Sequence, residues 1–396
     1  MGYWCWERED WGKWNVAHLK ASDAYEATIR SVTTLKHIAS RLSEGDLLTS
    51  EARFLEDESI TTSLIEGKVL DRDSVRASIA KKLGIGPIPK LETRSVDGLI
   101  ETLTDATQNH DQSLSHERLY RWQASIFPTG RDERGYPVET GRYRTSKEKM
   151  KIVTISGRKE TVHYIAPPSD VMKSEMDTFI DWFNKTSNNP NLIRAAIASY
   201  WFVSIHPFED GNGRLSRAIA DMAIAQAEKT PFRIYSMSET LKANKAISDG
   251  YYENLEACSR GEKPIDAWVE FFLETLTESA RRAEVILEDI AAKTAFWDRC
   301  QDITMNDRQR KFINWVLDKG RDLEGDIQRK RYQKIVGKLN ETTAKRDLQD
   351  LVSKGVLAPT ETKGRNAGYR LQNNNPTPRA ARRHSWSSSD AEPFFR

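Results

Sequence analysis

The sequence predicts a mainly α-helical protein with one small β-hairpin and a winged helix-turn-helix domain near its C-terminus. Three observations carry that reading. Apolar residues recur at three- and four-residue spacing through most of the first 290 positions, the period of a helix with one buried face. A single strand-like stretch interrupts them at 151–165. Beyond position 305 the composition turns basic, and the pattern becomes three short helices followed by a strand pair.

The 396 residues suffice for two or three domains, each with its own core. A hydrophobic content of 38% and a charged content of 30% suit a helix-rich chain with much exposed surface. No apolar run approaches the roughly 20 residues of a membrane span. The first ten residues have neither the basic start nor the apolar stretch of a secretion signal. No membrane partner is therefore expected. Cys5, Cys258 and Cys300 are too few and too dispersed for a disulfide framework or a metal cluster, which predicts a reduced, cytoplasmic setting. The net charge of +2 is uneven. Residues 306–372 hold 16 Lys/Arg against 9 Asp/Glu, a balance of +7, while the first 305 residues carry −7. Such asymmetry points to a nucleic-acid or other acidic partner for the C-terminal part.

Taken in order, Trp4, Trp6, Trp11 and Trp14 are large aromatic anchors that dock an extended N-terminus on a helical body. Helices follow from about 17 to 83, with Leu35, Ile38, Ala39 and Leu42 as one stripe. Gly84-Ile85-Gly86-Pro87-Ile88-Pro89 breaks the pattern and marks a linker, which sets an N-terminal domain at 1–92. A second domain, 93–290, is helical except for the Gly/Pro/Arg-rich stretch 128–141 and the hairpin. In the hairpin, Lys151–Ile155 and Glu160–Ile165 flank a short Gly-containing turn. Helices around 310–317, 330–339 and 342–354, then strands ending at Gly368–Leu371, give the winged domain, 298–372. The tail 373–396 is polar and reads as disordered.

The chemistry concentrates in His206-Pro207-Phe208-Glu209-Asp210-Gly211-Asn212-Gly213-Arg214-Leu215-Ser216-Arg217. A buried helix over 192–204 must end in this turn, and a second helix begins at Leu215. Free N–H groups and the helix dipole at that mouth favour an anion, and the glycines let a phosphate approach the backbone. Arg214 and Arg217, one turn apart, are each placed to hold a phosphate group. Asp210 suits Mg²⁺, which prefers a carboxylate together with phosphate oxygens. His206 is a general base whose ordinary pKa lies near neutrality. Any one of these residues alone reads as an ordinary helix–loop–helix feature. About eight specified positions in twelve residues would recur by chance roughly once in 10¹⁰ windows, which decides against coincidence.

The segment resembles the signature of the Fic family, His-x-Phe-x-Asp/Glu-Gly-Asn-Gly-Arg-x-x-Arg, with no departure at a fixed position. That resemblance implies a helical core in which the motif joins two helices, with ATP and Mg²⁺ as cofactors. It also implies transfer of AMP from ATP to a Tyr, Thr or Ser hydroxyl of a target protein. His206 would deprotonate the hydroxyl and Asp210 would ligate Mg²⁺. Gly211, Asn212 and Gly213 would hold the α- and β-phosphates, Arg214 the β-phosphate and Arg217 the γ-phosphate. The hairpin sits where relatives carry a target-binding flap, here with Val162, His163 and Tyr164, and Tyr252 and Asn254 resemble the adenine-side helix. Thr62-Ser63-Leu64-Ile65-Glu66-Gly67 matches the family's inhibitory motif, in which Glu66 would pair with Arg217 and spoil the pose of ATP. The order of Trp-rich N-terminus, core and winged C-terminus resembles a bacterial subgroup. DNA at the winged domain and a second copy of the chain, as a homodimer, are further expected partners. Two alternatives stand beside this reading: a nucleotide-sensing transcription regulator, and a Fic transferase that uses another nucleotide donor or removes AMP.

Overall fold

The computed structural model describes residues 4–85, 93–132, 134–156, 159–320, 323, 325–337, 339–361 and 368–372. The later part of the linker, the hairpin turn residues Gly157 and Arg158, and the tail 373–396 lie outside them. The described residues are mainly helical, as the periodicity predicts. The chain divides into two compact units, Met1–Leu287 and a second that begins at Glu288.

In the first unit the helices are α1 (Asp23–Ala39), α2 (Glu44–Ile65), α3 (Arg72–Leu83), α4 (Arg94–Gln108) and α5 (His116–Ile126). The hairpin strands β1 (Lys151–Ser156) and β2 (Lys159–Ile165) precede α6 (Met172–Thr186), α7 (Leu192–Ile205) and α8 (Asn212–Glu228). Then come α9 (Met237–Ala243), α10 (Lys245–Ser259) and α11 (Ile265–Arg299), whose residues from Glu288 on belong to the second unit. Side-chain caps start most of the longer helices: Ser22, Ser43, Asp71, Ser115, Asn191 and Asn244 each accept a backbone N–H of the first turn. Leu35, Phe54 and Val75 share one hydrophobic core with Leu103, Phe202, Ile219 and Leu273. The division expected at position 92 therefore does not separate two cores.

α7 and α8 form the centre of this unit, and α7 is buried on nearly every face because it is apolar on nearly every face. The N-terminal tryptophans dock on it. Trp11 and Trp14 set their rings edge-on to Trp201 of α7 at 6.1 and 5.2 Å, and Trp182 and Phe179 of α6 close the cluster from the other side.

The second unit holds α12 (Asp307–Lys319), α13 (Arg329–Val336) and α14 (Glu341–Ser353), with strands β3 (Ile327–Gln328), β4 (Leu357–Pro359) and β5 (Gly368–Leu371). The sheet is antiparallel in the order β3-β5-β4, so a third short strand joins the two-stranded wing that the sequence suggests. Phe312, Tyr332, Leu348 and Leu357 are among its core residues.

Because Trp201 is buried and carries the aromatic cluster, Trp201→Ala is expected to cost about 3–5 kcal/mol. The thermal midpoint should drop, and limited proteolysis should release the N-terminal segment first. An unchanged midpoint would show that the docking of the tryptophans is incidental.

Candidate active site

The site forms where α7 stops. His206 ends the helix in the left-handed region at φ 54°, ψ 58°, where a non-glycine residue needs surroundings that hold it. Its N–H bonds to Phe202 O at 3.1 Å. Arg144 supplies the rest: its Nε donates to His206 O at 2.8 Å and its backbone N–H to Pro207 O at 2.9 Å. Arg144 is 2% exposed and was not singled out in the sequence, where an arginine in an irregular stretch gives no signal of burial.

The half-buried His206 ring faces Val203 O with Nδ1 at 3.1 Å. A carbonyl only accepts, so Nδ1 carries the hydrogen and Nε2 keeps its lone pair. Loss of hydration, reinforced by the charge of Arg144, pushes the imidazole pKa down to about 4, against the Val203 bond and the Glu66 carboxylate. The ring is neutral near pH 7.

After Pro207, Phe208 is fully buried against Tyr143 and Phe202 and anchors the loop. Asn212 spans the loop. Its Oδ1 accepts from Phe208 N–H at 3.0 Å and its Nδ2 donates to Phe208 O at 2.8 Å. Its side chain thus shapes the turn, and what remains for a phosphate is its backbone N–H at the start of α8. Gly211 sits at the N-cap with φ 91°, a conformation that glycine takes without a Cβ clash. Arg214, 3% exposed, lies over the Phe127 ring at 4.8 Å and reaches Asp210 at 3.5 Å.

Glu66 comes to this helix mouth from α2. The helix ends at Ile65, and Lys68 N–H returns to Ser63 O at 2.8 Å, which swings Glu66 toward α8. A Cβ at Gly213 would lie only 2.1 Å from Glu66 Oε1, so the carboxylate rests directly on the glycine backbone. The same oxygen accepts from Arg217 Nη2 at 2.7 Å. Thr62, one turn earlier on α2, holds that arginine twice, through Oγ1 at 2.7 Å and its carbonyl at 3.0 Å. Burial works against the Arg217 charge, but the Glu66 carboxylate, Tyr251 and Glu58 outweigh it and hold the guanidinium above its ordinary pKa.

The fold therefore brings His206, Asp210, Gly211, Asn212, Gly213, Arg214, Arg217 and Glu66 to one place. Tyr251, on α10, lies beside Arg217. Its neighbour Tyr252 is edge-on to it at 5.2 Å. Asn254 bonds locally, to Gly250 O at 2.8 Å and Lys263 Nζ at 3.1 Å, rather than to the motif. No three His, Cys, Asp or Glu side chains converge among the described residues. Asp210 is thus a single, partly exposed carboxylate at the anion site. That donor set fits Mg²⁺ held by one carboxylate, ligand phosphates and water better than a metal caged by protein alone.

The hairpin rises from the same place, its base fixed to the end of α7. Tyr164 is buried, with its hydroxyl donating to Ser204 O at 2.7 Å and its ring edge-on to Trp4. Val162 and His163 present their carbonyls to Arg260. The three residues expected to meet a target are each bonded within the chain.

A sequence model of the Fic/DOC family matches residues 113–224, and one described as a domain of unknown function (DUF4172) matches residues 4–85. The protein adenylyltransferase Fic of Nematostella vectensis is 24% identical over 208 residues, 51% of this chain and 42% of that protein. The protein adenylyltransferase fic-1 of Caenorhabditis elegans is 37% identical over 98 residues, 24% of this chain and 17% of that one. The chain thus spans less than half the length of these relatives. A Fic domain containing signaling protein of Bacteroides thetaiotaomicron shares the fold, with a TM-score of 0.50 and 16% identity over 67% of this chain and 97% of that one. The match to the Fic/DOC family model takes in the whole His206–Arg217 segment, so this part of the chain is a Fic domain.

Proposed function

We propose that this protein transfers AMP from ATP to a Ser, Thr or Tyr hydroxyl of a target protein, and that Glu66 restrains the transfer. The observation that carries the reading is the Glu66 carboxylate, seated on the Gly213 backbone and paired with Arg217, beside a histidine with a free Nε2. A carboxylate there stands in for an anionic group of a substrate, and the place it fills suits a terminal phosphate.

In the reaction, the target hydroxyl oxygen attacks the α-phosphorus, the bond from that phosphorus to the bridging oxygen breaks, and pyrophosphate leaves. His206 Nε2 takes the hydroxyl proton. The N–H groups of Gly211, Asn212 and Gly213 line up the phosphates, Arg214 steadies the β-phosphate, and Arg217, released from Glu66, takes the γ-phosphate. Asp210 would hold Mg²⁺, which supplies charge neutralisation at the phosphate oxygens. Tyr252 and Asn254 would take the adenine side, and Tyr251 lies beside Arg217. A target strand would be received by the hairpin.

A second reading concerns the C-terminal unit. The exposed face of α14 carries Thr342, Lys345, Arg346 and Gln349 at helical spacing, opposite the buried Ala344, Asp347, Leu348 and Leu351. Its carboxylates are taken up elsewhere: Glu341 pairs with Arg329, Asp347 with Arg308 and Tyr332, and Asp350 with Lys354. A face with cations, an amide and a hydroxyl but no unpaired carboxylate fits the major groove of DNA, as in a winged helix.

Incubation with ATP·Mg²⁺ labelled at the α-phosphate tests the first reading. Label should appear on protein with Glu66→Gly and vanish with Glu66→Gly/His206→Ala, and no label in any form would remove it. The ring hydrogens of His206 should titrate below pH 5 by NMR, and at higher pH in Arg144→Met, because a nearby cation disfavours imidazolium. A wild-type midpoint near 6.5 would contradict the neutral base. For the second reading, Lys345→Ala/Arg346→Ala should weaken duplex DNA binding about tenfold or more at moderate salt. An unchanged affinity would exclude α14 as the contact.

A further inference from the structure

We infer that Tyr164, held in place by the N-terminal tryptophan segment, is a positioning residue for His206; the inference rests on the transferase reading above. The motif itself creates the need. A helix leaves its last carbonyls without partners unless groups beyond its end supply donors. At the end of α7, Phe202 O takes the His206 N–H at 3.1 Å, as in a continuing helix. Val203 O receives nothing from Pro207, which has no N–H, and is served by the His206 ring through Nδ1. Ser204 O would next take the Phe208 N–H, but Asn212 Oδ1 holds that group at 3.0 Å. The Ser204 carbonyl is thus left over two residues before the base, in a residue 2% exposed.

Tyr164 answers it. Its hydroxyl donates to Ser204 O at 2.7 Å, across 40 positions of sequence. With its hydrogen so committed, the hydroxyl oxygen accepts from the Cys5 thiol, whose Sγ lies 3.6 Å away. Burial pushes that thiol's pKa up and keeps its hydrogen in place. Cys5, Tyr164 and Ser204 therefore form one directed line of hydrogen bonds into the end of α7. The residues on either side of Cys5 fix the tyrosine. Trp4 sets its ring edge-on to Tyr164 at 5.5 Å, and Trp6 Nε1 donates to Ile165 O at 2.7 Å. Farther along, Trp11 Nε1 donates to Glu175 of α6 at 2.8 Å, so the segment is anchored on the helical body as well as on the hairpin.

His206 needs such support because its backbone lies in the left-handed region, which a non-glycine residue leaves when its surroundings slacken. Arg144 holds the carbonyl of the residue, and Tyr164 holds the turn that precedes it. The stretch 4–85 then acts on the site with opposite signs. Its beginning keeps the base in register, and its end, at Thr62 and Glu66, occupies Arg217. Loss of the whole stretch removes a support together with a restraint.

The test uses the full chain. In the Glu66→Gly form, Tyr164→Phe deletes the hydroxyl and leaves the ring against Trp4. Labelling of protein from ATP·Mg²⁺ labelled at the α-phosphate should slow about tenfold at saturating ATP, the scale of a misplaced base. The ATP concentration for half-maximal labelling should stay within about twofold, because the phosphate site is built on α8. Trp6→Phe keeps an aromatic ring, loses one donor, and should slow labelling several-fold in the same way. Tyr200→Phe is the control. Tyr200 is also buried, on α7, but its hydroxyl faces Cys5 and Ser259 instead of the helix end. That change should leave the rate within about twofold. Equal slowing by Tyr164→Phe and Tyr200→Phe would reduce Tyr164 to general packing. An unaltered rate in Trp6→Phe would remove the tryptophan segment from the assignment.

The His206 ring is read separately, by NMR titration of the nucleotide-free chain with Glu66 in place. Arg144 and Glu66, the charged groups that act on the ring, are then unchanged. Tyr164→Phe should raise the midpoint by about one pH unit or more, since a slackened turn returns water to the imidazole. Tyr200→Phe should not. An unmoved midpoint in Tyr164→Phe overturns the inference. A raised midpoint with no labelling in any active form would sink the transferase reading and leave the hold of Tyr164 on His206 standing.

Discussion

A guanidinium almost out of reach of solvent cannot stand alone, and the arrangement of the first unit follows from how Arg217 is satisfied. It is 7% exposed, and its three partners come from two elements: Thr62 and Glu66 from α2, and Tyr251 from α10. Stripping one partner from a buried charge generally costs several kcal/mol, so α2 is fixed against α8 by the need to keep this cation paired. Beneath it lies a second polar layer. Glu58, two turns before Glu66 on the same helix and 1% exposed, accepts from the hydroxyls of Ser236 and Ser238. Arg233 pairs with Asp221 at 2.7 Å, one turn along α8 from Arg217. Glu66 at the end of α2 and Glu58 within it thus grip the α8–α9 region, one at the helix mouth and one in the interior.

That geometry gives the proposed restraint a simple physical basis. The Glu66 carboxylate provides what a phosphate would provide, a negative charge at a helix N-terminus and a partner for Arg217. Exchange of one anion for the other leaves the cation satisfied, so the two states differ little in the energetics of the protein core. Such near-balance is what a two-state switch requires.

Much of this was legible in the sequence, for reasons that particular residues make plain. The twelve-residue motif is contiguous, so its chemistry survives without a fold, and the apolar run 192–204 announces a buried helix by itself. The hairpin bounds agree closely with its β-rich runs. The stretch around Glu66 is recognisable only by its resemblance to the family's inhibitory motif, since nothing local says that a carboxylate at the end of α2 meets an arginine 151 positions away. Arg144, Arg260 and Glu58 carried no signal, because their importance lies in contacts across the chain and arginines and glutamates usually face water. Asn212 shows the reverse case. A motif asparagine suggests a ligand contact, while the loop uses both ends of its amide. That Val162, His163 and Tyr164 each bond within the chain is not legible in the sequence, because periodicity cannot reveal which edge of a hairpin is already covered.

Glu66 and Arg217 fall within two separately recognisable stretches, residues 4–85 and 113–224. They meet over Gly213, where the absence of a side chain lets the carboxylate rest on the backbone and, on the proposed reading, would admit a phosphate in its place. A larger residue at 213 would expel both. On the proposed reading, heritable change that loosens the restraint and keeps the nucleotide is expected in the first stretch, around Thr62 and Glu66, while the motif itself stays unaltered.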